Sequence, residues 1–279
     1  MGPPAMPYKH AIVMSDKPGI SSTRSDGCQL HEVAWNELPV DVVPSEVDGV
    51  IFDDSHGRHT DLPSVISQLP NVRWVSIEAR TVGMLRPSVL PHLAELVIAG
   101  TSDAVMPEGP WAELRMLRAS DAKLQLRAAD LPALHTLEML FKTKADLTEL
   151  GKLRSLQELQ IGPMKDGAML TPLAGLPLRS LRFKRGSIED LGCLAHWPRL
   201  EEFGAILCHK IRDLSPLATM SGIRRASFVD SSGLRIVDAL FKMEALKFVV
   251  FWGCRDNDGV LSRAVKKLRA QGVEVQTDL

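Results

Sequence analysis

Leu69-Pro-Asn-Val-Arg-Trp-Val-Ser-Ile77, Leu90-Pro-His-Leu-Ala-Glu-Leu-Val-Ile98 and Leu131-Pro-Ala-Leu-His-Thr-Leu-Glu-Met139 share one pattern, with apolar residues three, three and then two apart. The central apolar residue recurs at Val75, Leu96, Leu117, Leu137, Leu159, Leu181, Phe203, Ala226, Val249 and Val273, at spacings that drift from 20 to 24 residues. The closing alternation has the two-residue period of a strand with one buried face. A repeat of this length and internal spacing describes a stack of strand-and-return units. Each unit buries its apolar edge only against its neighbours, so the stack shares one continuous core.

The return paths carry a second motif. Asp213-Leu-Ser-Pro-Leu-Ala218, Asp190-Leu-Gly-Cys-Leu-Ala195, Asp146-Leu-Thr-Glu-Leu-Gly151 and Leu170-Thr-Pro-Leu-Ala174 place two leucines three apart. That spacing fits one turn of 3₁₀- or α-helix folded back on the strands. Over residues 47–275 the chain resembles the 22-residue leucine-rich repeats of bacterial internalins and of protein phosphatase regulatory subunits, most closely at Ile211-Arg-Asp-Leu-Ser-Pro-Leu-Ala218. The resemblance implies an α/β solenoid: a right-handed leucine-rich repeat horseshoe with a parallel concave sheet, about eleven strand turns and short 3₁₀ or helical return segments. In that family an Asn usually stands just past each strand and bonds the backbone of adjacent repeats. Here the slot holds Arg80, Thr101, Ala122, Lys142, Met164, Gly186, Cys208, Ser231 and Cys254, only some of which can act as small polar or thiol substitutes, which predicts an irregular edge.

Three segments are expected. Residues 1–46 lack the repeat and carry two strand-like stretches, His10–Met14 and Gln29–Trp35, joined by turn-rich sequence, so they read as a hairpin-like N-terminal cap. Residues 47–257 hold the repeats. Residues 258–279 form a C-terminal cap: an amphipathic helix with Leu261, Val265 and Leu268 inward and Lys266, Lys267 and Arg269 outward, ended by Gly272 and followed by a strand at 273–275.

A formal net charge of −1 argues against a nucleic-acid binder, which normally shows a basic stripe. No apolar run reaches the 18 or so residues of a membrane span, and the first 16 residues lack the layout of a signal peptide. Cys28, Cys193, Cys208 and Cys254 show no metal-binding or disulfide spacing. Cys208 and Cys254, in the same slot two repeats apart, should lie ~9–10 Å from each other, beyond disulfide reach. A cytoplasmic protein with reduced thiols, monomeric before it binds a partner, is the expectation.

Strand alternation sorts side chains between core and open face. Among the open-face positions, Phe248, Val250 and Trp252 stand out as three large apolar side chains where water is expected. Val229 and Ile206 extend that patch, and Arg225, Arg182, Lys184 and Glu202 border it. An apolar patch rimmed by charge marks an interaction site, with Trp and Arg the common hot-spot types. Two alternatives stay open. The C-terminal helix or tail could cover the column, or the register could shift by one, since Phe248-Val-Val-Phe-Trp252 is apolar throughout.

Other constellations are weaker. Asp53-Asp-Ser-His56-Gly-Arg-His59-Thr-Asp61 has metal-ligand residue types, but Asp, Gly and His also suit a polar turn. Cys208-His209 lacks an orienting partner for a catalytic thiol, and no nucleophile elbow, zinc-protease motif or phosphate-binding glycine loop is present. Basic residues Arg179, Arg182, Lys184 and Arg185 are interleaved with Glu138, Glu158 and Glu202, which suits an acidic protein better than a polyanion. The expected function is non-catalytic binding of a partner protein on the concave face, without cofactor, metal, nucleic acid or membrane. An immunity or inhibitor protein for a bacterial toxin is the narrower reading, by analogy of fold. A regulatory or targeting subunit of an enzyme such as a phosphatase is the alternative, with a secreted effector behind it.

Overall fold

The structure, a computed structural model, describes residues 10–15, 22–23, 29–33, 43–53, 64–141 and 144–279. The chain divides into two compact units, Met1–Met139 and Leu140–Leu279.

In the first unit the strands are β1 (His10–Ser15), β2 (Ser22–Thr23), β3 (Gln29–Val33), β4 (Gly49–Asp53), β5 (Trp74–Glu78), β6 (Glu95–Ala99), β7 (Ala104–Val105), β8 (Met116–Gln125) and β9 (Thr136–Leu140), the last ending at the unit boundary. Val50, Val75, Leu96 and Leu117 align across β4, β5, β6 and β8, as the repeat period requires, and all are fully buried. At the N-terminus, the two expected strands form but do not make a hairpin. Parallel pairing joins β1 to β3 on one side and to β4 on the other, and only the short β2 runs antiparallel to β3. Alternation of side chains carries no information on strand direction, so the sequence pattern alone could not separate the two arrangements. The N-terminal segment thus continues the parallel sheet past the first repeat.

The second unit holds β10 (Glu158–Gly162), β11 (Ser180–Lys184), β12 (Glu202–Ile206), β13 (Arg225–Val229), β14 (Phe248–Trp252) and β15 (Glu274–Thr277), all parallel, with helices α1 (Lys144–Leu150) and α2 (Val260–Ala270). Leu159, Leu181, Phe203, Ala226 and Val249 align in register. The final strand departs from the expected spacing. Val275, not Val273, pairs with Val249, because the longer return through α2 stretches the last period.

Between β10 and β14 the returns are 3₁₀ turns at Gly167–Leu173, Gly192–His196, Ser215–Thr219 and Asp238–Lys242. The Asp that opens the kernel has a mechanical role. Asp190 Oδ1 accepts from Gly192 N at 2.8 Å and Asp213 Oδ1 accepts from Ser215 N at 2.7 Å, which starts the turn. The paired leucines, Leu191/Leu194 and Leu214/Leu217, then bury against the strands.

The edge where the strands end is irregular before β11, as expected, since β5 runs straight into a 3₁₀ turn at Ala79–Met84 and β8 continues to Gln125. From β11 to β14 it is regular despite its missing asparagines. Arg185, Leu207, Asp230 and Gly253, each just after a strand, all adopt positive φ between 48° and 62°. Beyond them a short thiol and hydroxyl ladder bonds the backbone. Cys208 Sγ donates towards Phe183 and Ile206 carbonyls at 3.7 and 3.4 Å, and Cys254 Sγ towards those of Phe228 and Trp252 at 3.3 and 3.7 Å. Between them Ser231 Oγ lies 3.2 Å from both the Ala205 and Val229 carbonyls and accepts from Cys208 N at 3.3 Å. Small donors reach the same carbonyls in consecutive repeats, so no amide is needed.

Helix α2 starts two residues later than expected and buries Leu261, Ala264, Val265 and Leu268. Asp256 caps it, accepting from Leu261 N at 2.7 Å, Ser262 N at 3.3 Å and the Ser262 hydroxyl. The hydroxyl of Ser262 and then these N–H groups hold the Asp256 carboxyl below its ordinary value. Asp256→Ala should cost ~0.5–2 kcal/mol at neutral pH, the usual worth of such a cap. A carboxyl depressed by folding contributes its stability above the unfolded pKa of ~3.9 and loses it as pH falls through the folded value. Urea titrations at pH 7 and at acid pH should therefore show the difference between variant and parent shrinking in acid. A difference that grew in acid would contradict the cap.

Core and face are tested by one neighbouring pair. Leu159 is 2% exposed, whereas Gln160 is half-buried on the open side. Leu159→Ala should lose ~2–5 kcal/mol through the cavity it leaves. Gln160→Ala should stay within ~0.5 kcal/mol. Similar losses in denaturant titration would place the strand register one residue off.

Candidate protein-binding face

Every strand from β11 to β14 runs five residues, with the second and fourth in the core and the first, third and fifth on the open side. Parallel pairing aligns these positions into rows. The fifth positions, Lys184, Ile206, Val229 and Trp252, are successive partners in register. Adjacent strands lie ~4.8 Å apart, so Ile206, Val229 and Trp252 form a continuous apolar row ~10 Å long. Trp252 is 55% exposed, and Ile206 and Val229 are half-buried. Val250 and Phe248, also half-buried, line the same column behind Trp252.

Both sequence alternatives are answered by burial. Val249 and Phe251 have no exposed surface, so β14 keeps its register. The C-terminal tail runs beside the column as β15, and Asp278 carboxylate oxygens accept from Gly253 N at 2.9 and 3.1 Å. Trp252 stays open beside it.

First and third positions carry a polar network. Glu202 on β12 takes Arg182 Nη2 at 3.1 Å on one oxygen and Arg225 Nε at 3.4 Å on the other. Arg225 in turn places its guanidinium 4.6 Å from the Phe248 ring centre. Gly204 makes room for this arrangement. A Cβ there would lie 2.9 Å from Arg182 Cγ and 2.7 Å from Ser227 Oγ, so the stem of Arg182 occupies the space a side chain would need. Exposed ion pairs of this kind are worth only ~0–1 kcal/mol. The two arginines are oriented rather than locked.

The nine residues singled out in the sequence thus fall on four neighbouring strands. Sequence reading placed Arg179 in its basic run but missed the other residues just before the strands, which lie outside the alternation. There exposed Arg179, Arg224 and Lys247 and half-buried Glu201 form a rim at the strand starts, bonded in series by Glu201 N to Arg179 O, Arg224 N to Glu201 O and Lys247 N to Arg224 O. Arg179 pairs with Glu201 at 3.3 Å, whereas Arg224 and Lys247 have no carboxylate partner among the described residues. Counting rim and strands together over β11–β14, six cationic side chains face two carboxylates, a surplus of four in a chain of net charge −1.

Two recesses were also not foreseen. In the first unit Asp48, Arg73, Glu95, Glu113, Arg115 and His135 surround a cleft of about 490 Å³, opened because Ala94 is small in a row of long side chains. In the second, Cys193 lies half-buried near Asp190, His196 and Lys210. Burial and then the Asp190 charge push its thiol up to about 11, so it is protonated at neutral pH and a poor nucleophile. Burial likewise raises Cys208 and Cys254. His209 Nδ1 faces the Ser232 hydroxyl at 3.2 Å, so Cys208 and His209 do not form a couple. Among the described residues no group of His, Cys, Asp and Glu is placed to hold a metal ion, and the mixed run at 54–61 lies outside them. Trp74 holds the first, open-face position of its strand, yet it is 3% exposed beside its strand partner Gly49. No helix among the described residues is long and apolar enough to cross a membrane.

No protein-family profile and no curated protein matches the chain. Solved structures do. A leucine-rich repeat protein of Leptospira interrogans superposes with a TM-score of 0.50 at 12% identity, covering 89% of this chain and 77% of that one. An internalin of Listeria monocytogenes gives 0.49 at 14% identity, over 84% and 74% of the two chains. The mouse RP105/MD-1 complex gives 0.49 at 14%, over 89% and 51%. Such identities speak to the path of the chain alone. The in-register parallel strands with their 3₁₀ returns, together with the superposition on the Leptospira interrogans protein, show that the chain has the leucine-rich repeat fold.

Proposed function

We propose that this protein is a non-catalytic interaction module that binds another protein on the open face of β11–β14. Trp252 carries the reading: a large aromatic side chain 55% exposed at the end of an in-register apolar row. Phe248, Val250, Val229 and Ile206 supply the rest of the apolar surface, and Arg182, Lys184, Glu202 and Arg225 supply the polar border. Aromatic and arginine side chains in such a setting are the usual carriers of binding energy. The raised thiols and the separation of Cys208 from His209 support a role without catalysis. In its narrower form the proposal is a cytoplasmic immunity or inhibitor protein, monomeric until it meets the toxin it neutralises.

Parallel affinity captures with the parent chain and with Trp252→Ser test the proposal. A protein retained by the parent and lost from the variant is expected. Identical sets of captured proteins would overturn it. Light scattering of the free chain checks the monomer, which a stable dimer would contradict.

A further inference from the structure

We infer that the partner of this face is an acidic protein segment that presents an aliphatic or aromatic anchor at one end and carboxylates along its length. The inference rests on the proposed binding face and adds the chemistry of what it takes. Its basis is how charge is distributed along the strands. The anchor position lies at the strand ends, where Ile206, Val229 and Trp252 form the apolar row. On β13 and β14 the cations lie towards the strand starts, Arg225 over Phe248, then Arg224 and Lys247 on the rim, while on β11 Lys184 borders the apolar row beside Ile206. From Lys247 to Trp252 the chain advances five residues, or ~16 Å at ~3.3 Å each. An acidic helix of about three turns spans that length at ~1.5 Å per residue.

Arg224 and Lys247 are central because neither meets a carboxylate among the described residues. Arg182 and Arg225 share the single carboxylate Glu202, which leaves guanidinium N–H groups on both for an incoming acid. A carboxylate reaching two such groups forms a charge-assisted, bidentate bond. A nucleic acid fits less well. Glu201 and Glu202 stand in the middle column of the cationic field, where an unbroken phosphate backbone would meet them, whereas a protein segment can omit its acid at that point.

Panning a phage library of random 12-residue peptides on the intact chain tests the inference. Two exposed sets of changes separate its parts: Trp252→Ser removes the anchor site, and Arg224→Glu with Lys247→Glu reverses the unpaired rim. Recovered peptides should join Asp or Glu to Leu, Phe or Trp. Synthesised singly, they should weaken tenfold or more against the rim reversal and also against Trp252→Ser, while circular dichroism of both variants stays that of the parent. Neutral or basic peptides, or peptides indifferent to the rim reversal, would overturn the acidic partner yet leave the binding face standing if Trp252→Ser still abolished them. Peptides indifferent to both changes, or no peptides at all, would overturn both. A 20-nucleotide single strand of DNA or RNA is the comparison. Tighter binding of it than of any peptide, lost on rim reversal, would replace the protein partner with a nucleic acid.

Discussion

Phe228→Ala is expected to lower the free energy of unfolding by ~3–5 kcal/mol, the usual range for emptying an aromatic site in a close-packed core. Phe228 has no exposed surface and sits between rings from the strands on either side. Its centroid lies 5.6 Å from Phe251 in a stacked pair and 6.3 Å from Phe203, which meets Phe183 edge-on at 5.6 Å. Four successive strands therefore share one aromatic column. In a repeat stack, stability is roughly a sum of unit and nearest-neighbour terms, so a change at Phe228 weakens the interfaces on both of its sides. Ser227→Ala, next in sequence but on the open face, should change stability by no more than ~0.5 kcal/mol. Urea titration followed by circular dichroism reads both. A loss below ~1 kcal/mol for Phe228→Ala would mean that the column contributes less than ordinary core packing.

The interior of the fold was legible because one spacing rule governs it. Three-three-two apolar spacing places one residue of each copy at the second, core-facing position of a strand, and Val75, Leu96 and Leu117, like Leu159, Leu181 and Phe203, are partners in register. Departures fall where that rule stops. Val273 and Val275 are both apolar and alternate alike, so the pattern could not choose between them once α2 lengthened the return. At the N-terminus β1 and β3 were visible as strands, but their direction depends on the connection, and side-chain alternation is the same either way. The thiol and hydroxyl ladder stands where the family carries Asn, and Cys208, Ser231 and Cys254 are the residues of that slot able to act as small polar or thiol substitutes. A thiol is a weak donor, and at Cys208 and Cys254 it lies over carbonyls.

The candidate site was legible to a similar depth. Alternation placed Phe248, Val250 and Trp252 on one side, and parallel pairing placed Val229 and Ile206 beside them. How the charges are grouped was not legible. That Glu202 serves two arginines, and that Arg182 lies over Gly204, depend on side-chain conformations no spacing encodes. The rim of Arg224 and Lys247 lay one residue outside the strand pattern and so outside the face as read.

The double variant Trp252→Ala, Arg225→Ala should lose partner binding while keeping its fold. Removal of an exposed Trp and an exposed Arg leaves the core untouched, since Val249, Phe251 and Ala226 fill it beneath them. A hot-spot Trp or Arg is worth ~2 kcal/mol or more, about thirtyfold in affinity for each. The two effects need not add. Arg225 stacks on Phe248 and shares Glu202 with Arg182, so its loss frees Glu202 for Arg182 alone and alters the polar border of the apolar column. Calorimetry with a partner recovered by capture, run for each single variant and for the pair, gives the coupling directly. Salt provides a separate handle, because charges that guide encounter act mainly on association. Raising ionic strength should slow the association of the parent, and Arg225→Ala should reduce that slowing, whereas Trp252→Ala should leave it in place and speed dissociation. Undiminished affinity in a well-folded double variant would move the binding surface away from β11–β14.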